Sequence, residues 1–592
     1  MTREILIDKE EIHKAFVNGA NLVLNAKNYL DKINVFPVKD ADTGSNLASL
    51  MKSIINRSKI ENTLKETLIS VSEAALIGSK GNSGLIFSQF FYGLSINVNF
   101  EYLTFDKLIE QMENGFLTAY SSLENPVEGT IITLMRKWVN LLKIEQSKNN
   151  SVEEKLITSY NILKMELENT KEELEILKKY NVVDSGALGF IIFLDGFISS
   201  ILYDNVIGNN INQFEKYDDI SSHDENIEDL EHRYCTEVLI NTSLSKDELI
   251  KSVGSLGSSI VVGITDKYIK LHIHTNNPDT LINILSEKSS IVETKVDDMK
   301  NQHELKYQRK NDICLITDSI ADLPKSFIDI NQIQVLPVEI ELDNVTYLDK
   351  LTINNKYLFT VIKSNKMFPK TAAPSLLRIR SLFDYLKEYY KKFIVITVSS
   401  KMSGTNNIFN LVKKDFPELE IKVINSNLNS VAQGLLVKSA ANLISDNLEL
   451  DLIEKKLNIL KSKIKILVHL KSLDNMVKGG RIKKSLGFIA KILRLKPIVS
   501  IDKNGEGVVL GKSLGEKKNL KNIIKMIKQD HDEHKILKYA IVHEGNLKNV
   551  LYLKNKLVDL LGFEEEYIEG ISSVVALNSG DGSIAVGYIM ED

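Results

Sequence analysis

From residues 9 to 33 the apolar positions Ile12, Phe16, Ala20, Val23, Leu24 and Leu30 keep mostly helical spacing, which predicts a helix with one buried stripe. The same period resumes over 47–55 and 64–77, and two more helical segments bracket 126–130. A charged amphipathic helix is predicted over about 152–179, its Glu and Lys residues forming a solvated face. The longest apolar run, 186–203, is interrupted by Asp195 and Gly196, so a buried helix is expected rather than a membrane span. Residues 1–205 therefore predict an all-α domain, an up-and-down helical barrel with its site at one rim. Residues 206–230 are polar and without period, and read as a linker.

Beyond the linker the period changes. Residues 234–240, 259–263 and 268–275 read as strands, the last alternating polar and apolar positions, and they predict a small α/β domain over 231–303. After a short polar segment, 312–592 predicts a second, two-lobed α/β domain with strands at 313–317, 335–338 and 393–398. Its strands run into polar loops, Thr317-Asp318-Ser319, Ser403-Gly404-Thr405 and Asn425-Ser426, and 371–375 is a loop of small residues. Open α/β sheets place ligands at such strand ends. Hydroxyl and amide donors gathered there hold a carboxylate or phosphate, although helix capping explains each one singly.

The polar loops of the helical region carry the candidate chemistry. Asp40 and Asp42 stand two apart, after Phe36-Pro37 and before Thr43-Gly44-Ser45-Asn46. In an extended segment such residues point the same way and can converge on one hard cation, which suits Mg²⁺. The N–H groups of Thr43, Gly44 and Ser45 at a helix start suit phosphate. Asp-x-Asp is also frequent in surface turns, and both readings stand on these residues alone. In 78–84 three glycines let the backbone approach an anion closely, whereas a plain helix–helix turn needs only one. On the third predicted strand His272 and His274 share a face, and Cys235 from another strand can join them. Three such ligands can hold zinc, and they can equally be a buried cysteine and two ordinary strand histidines.

Composition narrows the class. A chain of 592 residues predicts three or four domains, and 43% apolar residues permit large cores. A net charge of −4 with no basic tract argues against nucleic acid as a partner. Two cysteines are too few for a disulfide framework and fit a reducing compartment. The first ten residues lack a signal-peptide core, so a cytoplasmic location is expected.

Taken in order, the loops at 34–46, 78–84, 126–130 and 181–187 resemble the nucleotide-binding segments of the DhaL family, the ATP-binding domain of dihydroxyacetone kinases, and most of all its branch in bacterial fatty acid kinases. The resemblance implies Asp40 and Asp42 as the catalytic Mg²⁺ ligands, with Asn34 as a third. It places Thr43, Gly44, Ser45, Asn46, Gly81, Asn82, Ser83, Gly129, Thr130, Asp184 and Gly186 around ATP. Lys39 and Ala41 replace a proline and a glycine of that pattern, and Ser185-Gly186-Ala187 varies the last loop. Residues 231–303 resemble the middle domain of the same kinases, in which the counterparts of Cys235, His272 and His274 form a clustered metal-binding site. Residues 312–592 resemble the DegV family of fatty acid-binding proteins. There the counterparts of Thr371 and of Ser403 in Ser403-Gly404-Thr405 hold the lipid head group, assisted by Arg481. Asn578 stands where that family usually has a histidine.

The order of domains implies a fused fatty acid kinase, in which ATP and a fatty acid held by the chain's own DegV-like domain give acyl phosphate and ADP. A carboxylate is already ionised at neutral pH, so no general base is needed. A fatty acid ligand, transient membrane-surface contact through lipid exchange, and a homodimer are the expected partners. The alternatives are a lipid-binding regulatory protein with a silent kinase domain, and a dihydroxyacetone kinase-like enzyme. The covalently binding histidine domain of the latter is not recognisable in this chain.

Overall fold

The computed structural model describes residues 5–35, 42–203, 231–342, 345–364, 368–482 and 495–591. Asp40 and the 206–230 linker lie outside the described residues. The chain forms two compact units, 1–277 with 284–300, and 278–283 with 301–592.

The first unit begins with helices α1 (Lys9–Asn25), α2 (Lys27–Lys32), α3 (Thr43–Arg57), α4 (Leu64–Gly78), α5 (Gly81–Gly93), α6 (Phe105–Ser122), α7 (Ile131–Gln146), α8 (Val152–Glu173), α9 (Glu175–Tyr180) and α10 (Ser185–Leu202). Several starts are fixed locally. Asp8 with Glu11, Thr63 with Glu66 and Ser151 with Glu154 form reciprocal capping boxes at α1, α4 and α8. The buried stripes meet in a phenylalanine cluster in which Phe16, Phe87, Phe91, Phe190, Phe193 and Phe197 make edge-on and tilted contacts. The apolar helix α10 is long enough to cross a membrane by length and composition, but 72% of it is buried inside the protein. It crosses α1 at two glycines: a Cβ on Gly196 would lie 2.8 Å from the Cα of Gly19. The predicted 152–179 helix is two helices. Leu174 adopts an extended conformation between α8 and α9 and packs beside the core, next to Gly129.

A four-stranded sheet completes this unit, in the order β2 (Gly257–Ile264), β3 (Ile269–Thr275), β1 (Tyr234–Asn241), β4 (Ser290–Asp298). Its pairs are antiparallel, with Cys235 opposite His274 and Glu237 opposite His272. Leu239 and Val261 of the sheet share an apolar cluster with Leu76 of α4 and Leu85 of α5, and Gln89 donates to the Ile264 carbonyl at 3.1 Å. The sheet therefore lies on the α4–α5 turn.

In the second unit, a parallel sheet takes its strands in the order Glu420–Asn425, Lys392–Thr397, Ile313–Asp318, Gln334–Leu336. A six-stranded, mostly antiparallel sheet runs Gly507–Ser513, Lys496–Ile501, Ile464–His469, Ile584–Met590, Ile536–His543, Ile568–Gly570. Part of the small-residue loop expected at 371–375 is a short strand: Thr371 and Ala372 pair with Ile340 and Glu339. The fold is thus a helical domain, a small α/β domain and a larger α/β domain with parallel and mixed sheets.

Candidate functional site

In the first unit the polar loops converge at the helix starts. Asn46 in the first turn of α3 touches Gly81, whose added Cβ would lie 2.5 Å from its Nδ2. Ser83 Oγ and Asp184 Oδ2 flank Gly186, each 3.2 Å from where a Cβ would stand. Asp184 caps α10 by accepting from the Ala187 N–H at 2.7 Å, and the same oxygen accepts from the Ile131 N–H at 3.1 Å. That oxygen ties the 129–130 loop to the 184–186 loop. Burial pushes the Asp184 carboxyl up to about 6, against the pull of these two donors. Ser45 is bound through its N–H and Oγ to Asp31, at 2.7 and 2.8 Å, and Gly44 is pressed against the Lys27 carbonyl. Gly129 donates to Thr133 Oγ1 at 2.9 Å, and Thr130 Oγ1 donates to the Val127 carbonyl. Asn34 is buried, and Asp42 directly precedes α3. Among the described residues, the Oδ1 of Asn82 is buried without a hydrogen-bond partner. Such an orphan fits a ligand that brings its own donor, as a nucleotide does.

The strand residues also come together. The ligand atoms of Cys235, His272 and His274 lie within 4.8 Å of one another. Among the described residues His272 Nε2 is buried without a partner, and Cys235 Sγ is 3.7 Å from His272 Nδ1. Burial, then the neighbouring histidines, lower His274 to about 3, so it is neutral at pH 7, the form a metal takes. Burial and the charges of Glu237, Asp297 and Asp42 push the Cys235 thiol up. The donor set fits a divalent metal that accepts sulfur and nitrogen. Spacing did not single out two charged neighbours. Glu237, held down to about 2 by His272, Lys270 and Lys295 despite its burial, accepts from the Gly81 N–H at 2.6 Å. Lys270, also buried, donates to the Ser79 carbonyl. Their strand parity is the available signal, since Cys235 and Glu237, and Lys270, His272 and His274, alternate on one face.

In the second unit a cavity of about 460 Å³ is lined by Ile466, Val468, Val499, Val542, Ile571, Val574 and Ile584 together with Thr371, Ser403, Gly404, Arg481 and Asn578. The structure thus brings all five predicted substrate-side residues to one apolar cavity. Arg481 donates through Nη2 to Thr371 Oγ1 at 3.2 Å and through Nη1 to the Gly479 carbonyl. Ser403 and Thr405 share a hydroxyl hydrogen bond of 2.9 Å. Asn578 spends its amide N–H on the Val574 carbonyl at 2.8 Å and leaves Oδ1 buried without a partner. Asn429, missed in the sequence, also lines the cavity and keeps an unpartnered Oδ1.

Three family models match this chain: the DAK2 domain over 37–199, the FakA-like middle domain of fatty acid kinases over 231–306, and the uncharacterised protein family DegV over 312–591. Uncharacterized proteins of Staphylococcus aureus strains bovine RF122 and USA300 are 32% identical over 307 residues, which is 48% of this chain and 55% of theirs. The chain spans about half the length of the curated relatives it matches. Among solved structures, the fatty acid binding DegV family protein SAG1342 from Streptococcus agalactiae is 26% identical, with TM-score 0.44, over 48% of this chain and 100% of that one. The Streptococcus pneumoniae fatty acid kinase B3 protein loaded with linoleic acid is 22% identical, with TM-score 0.43, over 47% of this chain and 99% of that one. One chain thus carries, in order, a DAK2 domain, a FakA-like middle domain and a DegV domain.

Proposed function

We propose that this chain is a fatty acid kinase with its carrier fused on, transferring the γ-phosphate of ATP to a fatty acid held by its own DegV domain. The observation that carries this reading is the pairing, in one chain, of a helical domain with converged polar glycine loops and an α/β domain with an apolar, arginine-bearing cavity. An apolar cavity with a few polar groups suits an acyl chain with one ionised end. Arg481, Thr371 and Ser403 supply a cation and hydroxyl donors for the carboxylate. In the reaction a carboxylate oxygen attacks the γ-phosphorus, the bond from that phosphorus to the β–γ bridging oxygen breaks, and ADP leaves. Mg²⁺ held by Asp40 and Asp42, with Asn34 beside them, would neutralise phosphate charge. The N–H groups of Thr43 and Gly44, with the side chains of Asn46, Asn82, Ser83 and Thr130 and the close approach allowed at Gly186, would position the nucleotide, since the N–H groups of Ser45 and Asn46 are already taken by Asp31 and the Asp42 carbonyl. Zinc is the metal that Cys235, His272 and His274 would take.

The test is direct. Purified full-length protein, ATP, Mg²⁺ and oleate are incubated with hydroxylamine, and oleoyl hydroxamate is the expected product. Replacing oleate by dihydroxyacetone should give no turnover. Protein that binds oleate but forms no hydroxamate and consumes no ATP would refute the kinase reading in favour of a lipid-binding protein.

A further inference from the structure

The sheet face that carries the Cys235 cluster also addresses both helix ends of the 78–84 turn. Across β1 and β3, Cys235 stands opposite His274, Glu237 opposite His272, and Leu239 opposite Lys270, so all six side chains share that face. Helix α4 ends at Gly78 and α5 begins at Gly81. The end of a helix carries partial negative charge and its start partial positive charge. The sheet supplies the complement to each. Lys270 Nζ donates to the Ser79 carbonyl and lies 3.5 Å from the Leu76 and Ile77 carbonyls, while Glu237 Oε1 accepts from the Gly81 N–H at 2.6 Å. Helix α5 has no side-chain cap from its own N-cap residue, Lys80. A carboxylate from 156 residues away takes that place.

The same oxygen reaches the other way. Glu237 Oε1 is 3.6 Å from His272 Nδ1, the nitrogen that also lies 3.7 Å from Cys235 Sγ, while among the described residues the buried His272 Nε2 has no partner. A carboxylate beside a histidine of a metal-binding set biases its tautomer and ring angle. Glu237 is therefore shared between the turn and the Cys235, His272 and His274 set. We propose that Glu237 is a positioning residue that fixes the 78–84 turn for nucleotide and couples it to occupation of the Cys235, His272 and His274 set. This rests on the kinase reading above and adds a regulator to it.

Two variants separate geometry from charge in the full-length protein. Glu237→Asp keeps the negative charge among Lys270, Lys295 and His272 but withdraws the oxygen from Gly81 by one methylene. Glu237→Gln still reaches Gly81 but is neutral. Calorimetry with Mg·ATP should show affinity about tenfold weaker for Glu237→Asp and within about threefold of wild type for Glu237→Gln, the size expected for one charge-assisted hydrogen bond. In wild type, saturating zinc should shift ATP affinity, and ATP should shift zinc affinity by the same factor. In Glu237→Asp both shifts should fall towards one. Should Glu237→Asp melt far below wild type, the Glu237→Gln result decides, and a loss of nucleotide affinity there as large as in Glu237→Asp overturns the proposal. Nucleotide binding by Glu237→Asp equal to wild type, or an undiminished zinc–ATP shift in it, overturns this inference alone. Wild-type protein that binds no nucleotide refutes the kinase reading and this inference together.

Discussion

Asp184 shows how a single side chain can serve a site at a cost to the fold. Its Oδ2 joins the starts of α7 and α10 by accepting from Ile131 and Ala187, and it does so fully buried. Because its folded-state value rises from 3.8 to about 6, the folded protein binds this proton more tightly than the unfolded chain does. The favourable contribution is therefore complete below pH 3.8 and is lost as pH rises through about 6. The rise from 3.8 to about 6 corresponds in full to roughly 3 kcal/mol. Asp184→Asn retains one carbonyl oxygen for both donors and does not titrate. Its stability relative to wild type should rise by roughly 2.4 kcal/mol between pH 4 and pH 7, whatever constant offset the new amide N–H introduces. Urea titrations of both proteins at several pH values measure this difference, and a flat difference would mean that Asp184 ionises freely. Arg481 makes the opposite kind of contribution, a cation pre-set by Thr371 and Gly479 in an apolar cavity. Arg481→Ala should weaken oleate binding by at least about tenfold, and Arg481→Lys, which keeps charge but loses the fork, should fall between. Tryptophan-independent lipid binding, read by displacement of a fluorescent fatty acid, would test it; equal affinities would place the head group elsewhere.

Elements follow the sequence where one physical rule governs them and depart where a distant contact decides. The crossing of α1 and α10 illustrates both. Replacing a helical glycine by alanine ordinarily gains up to about 1 kcal/mol. At Gly196, though, a Cβ would stand 2.8 Å from the Asn18 carbonyl oxygen and from the Gly19 Cα, so the helices must separate. Overpacking typically costs about 1–3 kcal/mol, and it should win. Gly196→Ala is expected to lower the melting temperature, which calorimetric scanning can check; a rise would show that the helices yield freely. The helical stripes and the alternating strand 268–275 are legible because burial on one face imposes a period. The stop of α8 at Glu173 is not, because no proline or glycine makes it; Leu174 turns aside beside the Gly129 loop. Nor is the strand containing Thr371 and Ala372, whose three residues are too short to show a period and whose pairing partners lie some thirty positions away. Of the candidate lipid residues, Ser403 and Gly404 are legible as a polar loop after a strand, whereas Arg481 and Asn578 follow only from the family resemblance, and Asn578 lies inside the helix Ser573–Ser579. Glu237 and Lys270 are hidden, since a charge on a strand ordinarily reads as solvent-facing and their partners are helix ends far back in the chain.

For the whole molecule, the fusion of three domains makes a kinetic claim that two crippled variants can test. On the proposed reading Asp42→Asn removes one of two metal carboxylates, so it should cut ATP-dependent acyl phosphate formation by roughly a hundredfold or more while oleate binding persists. Arg481→Ala should lose activity through its lipid site while ATP still binds. In a mixture of the two, turnover requires the sound kinase domain of one molecule to act on the loaded DegV domain of another. A tether holds its partner at an effective concentration of about millimolar, whereas mixed proteins at about 1 μM meet roughly a thousandfold less often. The mixture should therefore run far below wild type at micromolar protein and rise in proportion to concentration. Hydroxamate formation measured over a dilution series gives this slope. Recovery of a large, concentration-independent share of wild-type activity would mean that the carboxylate is delivered across a stable assembly rather than within one chain. No recovery at any concentration would mean that each kinase domain serves only the DegV domain to which it is joined.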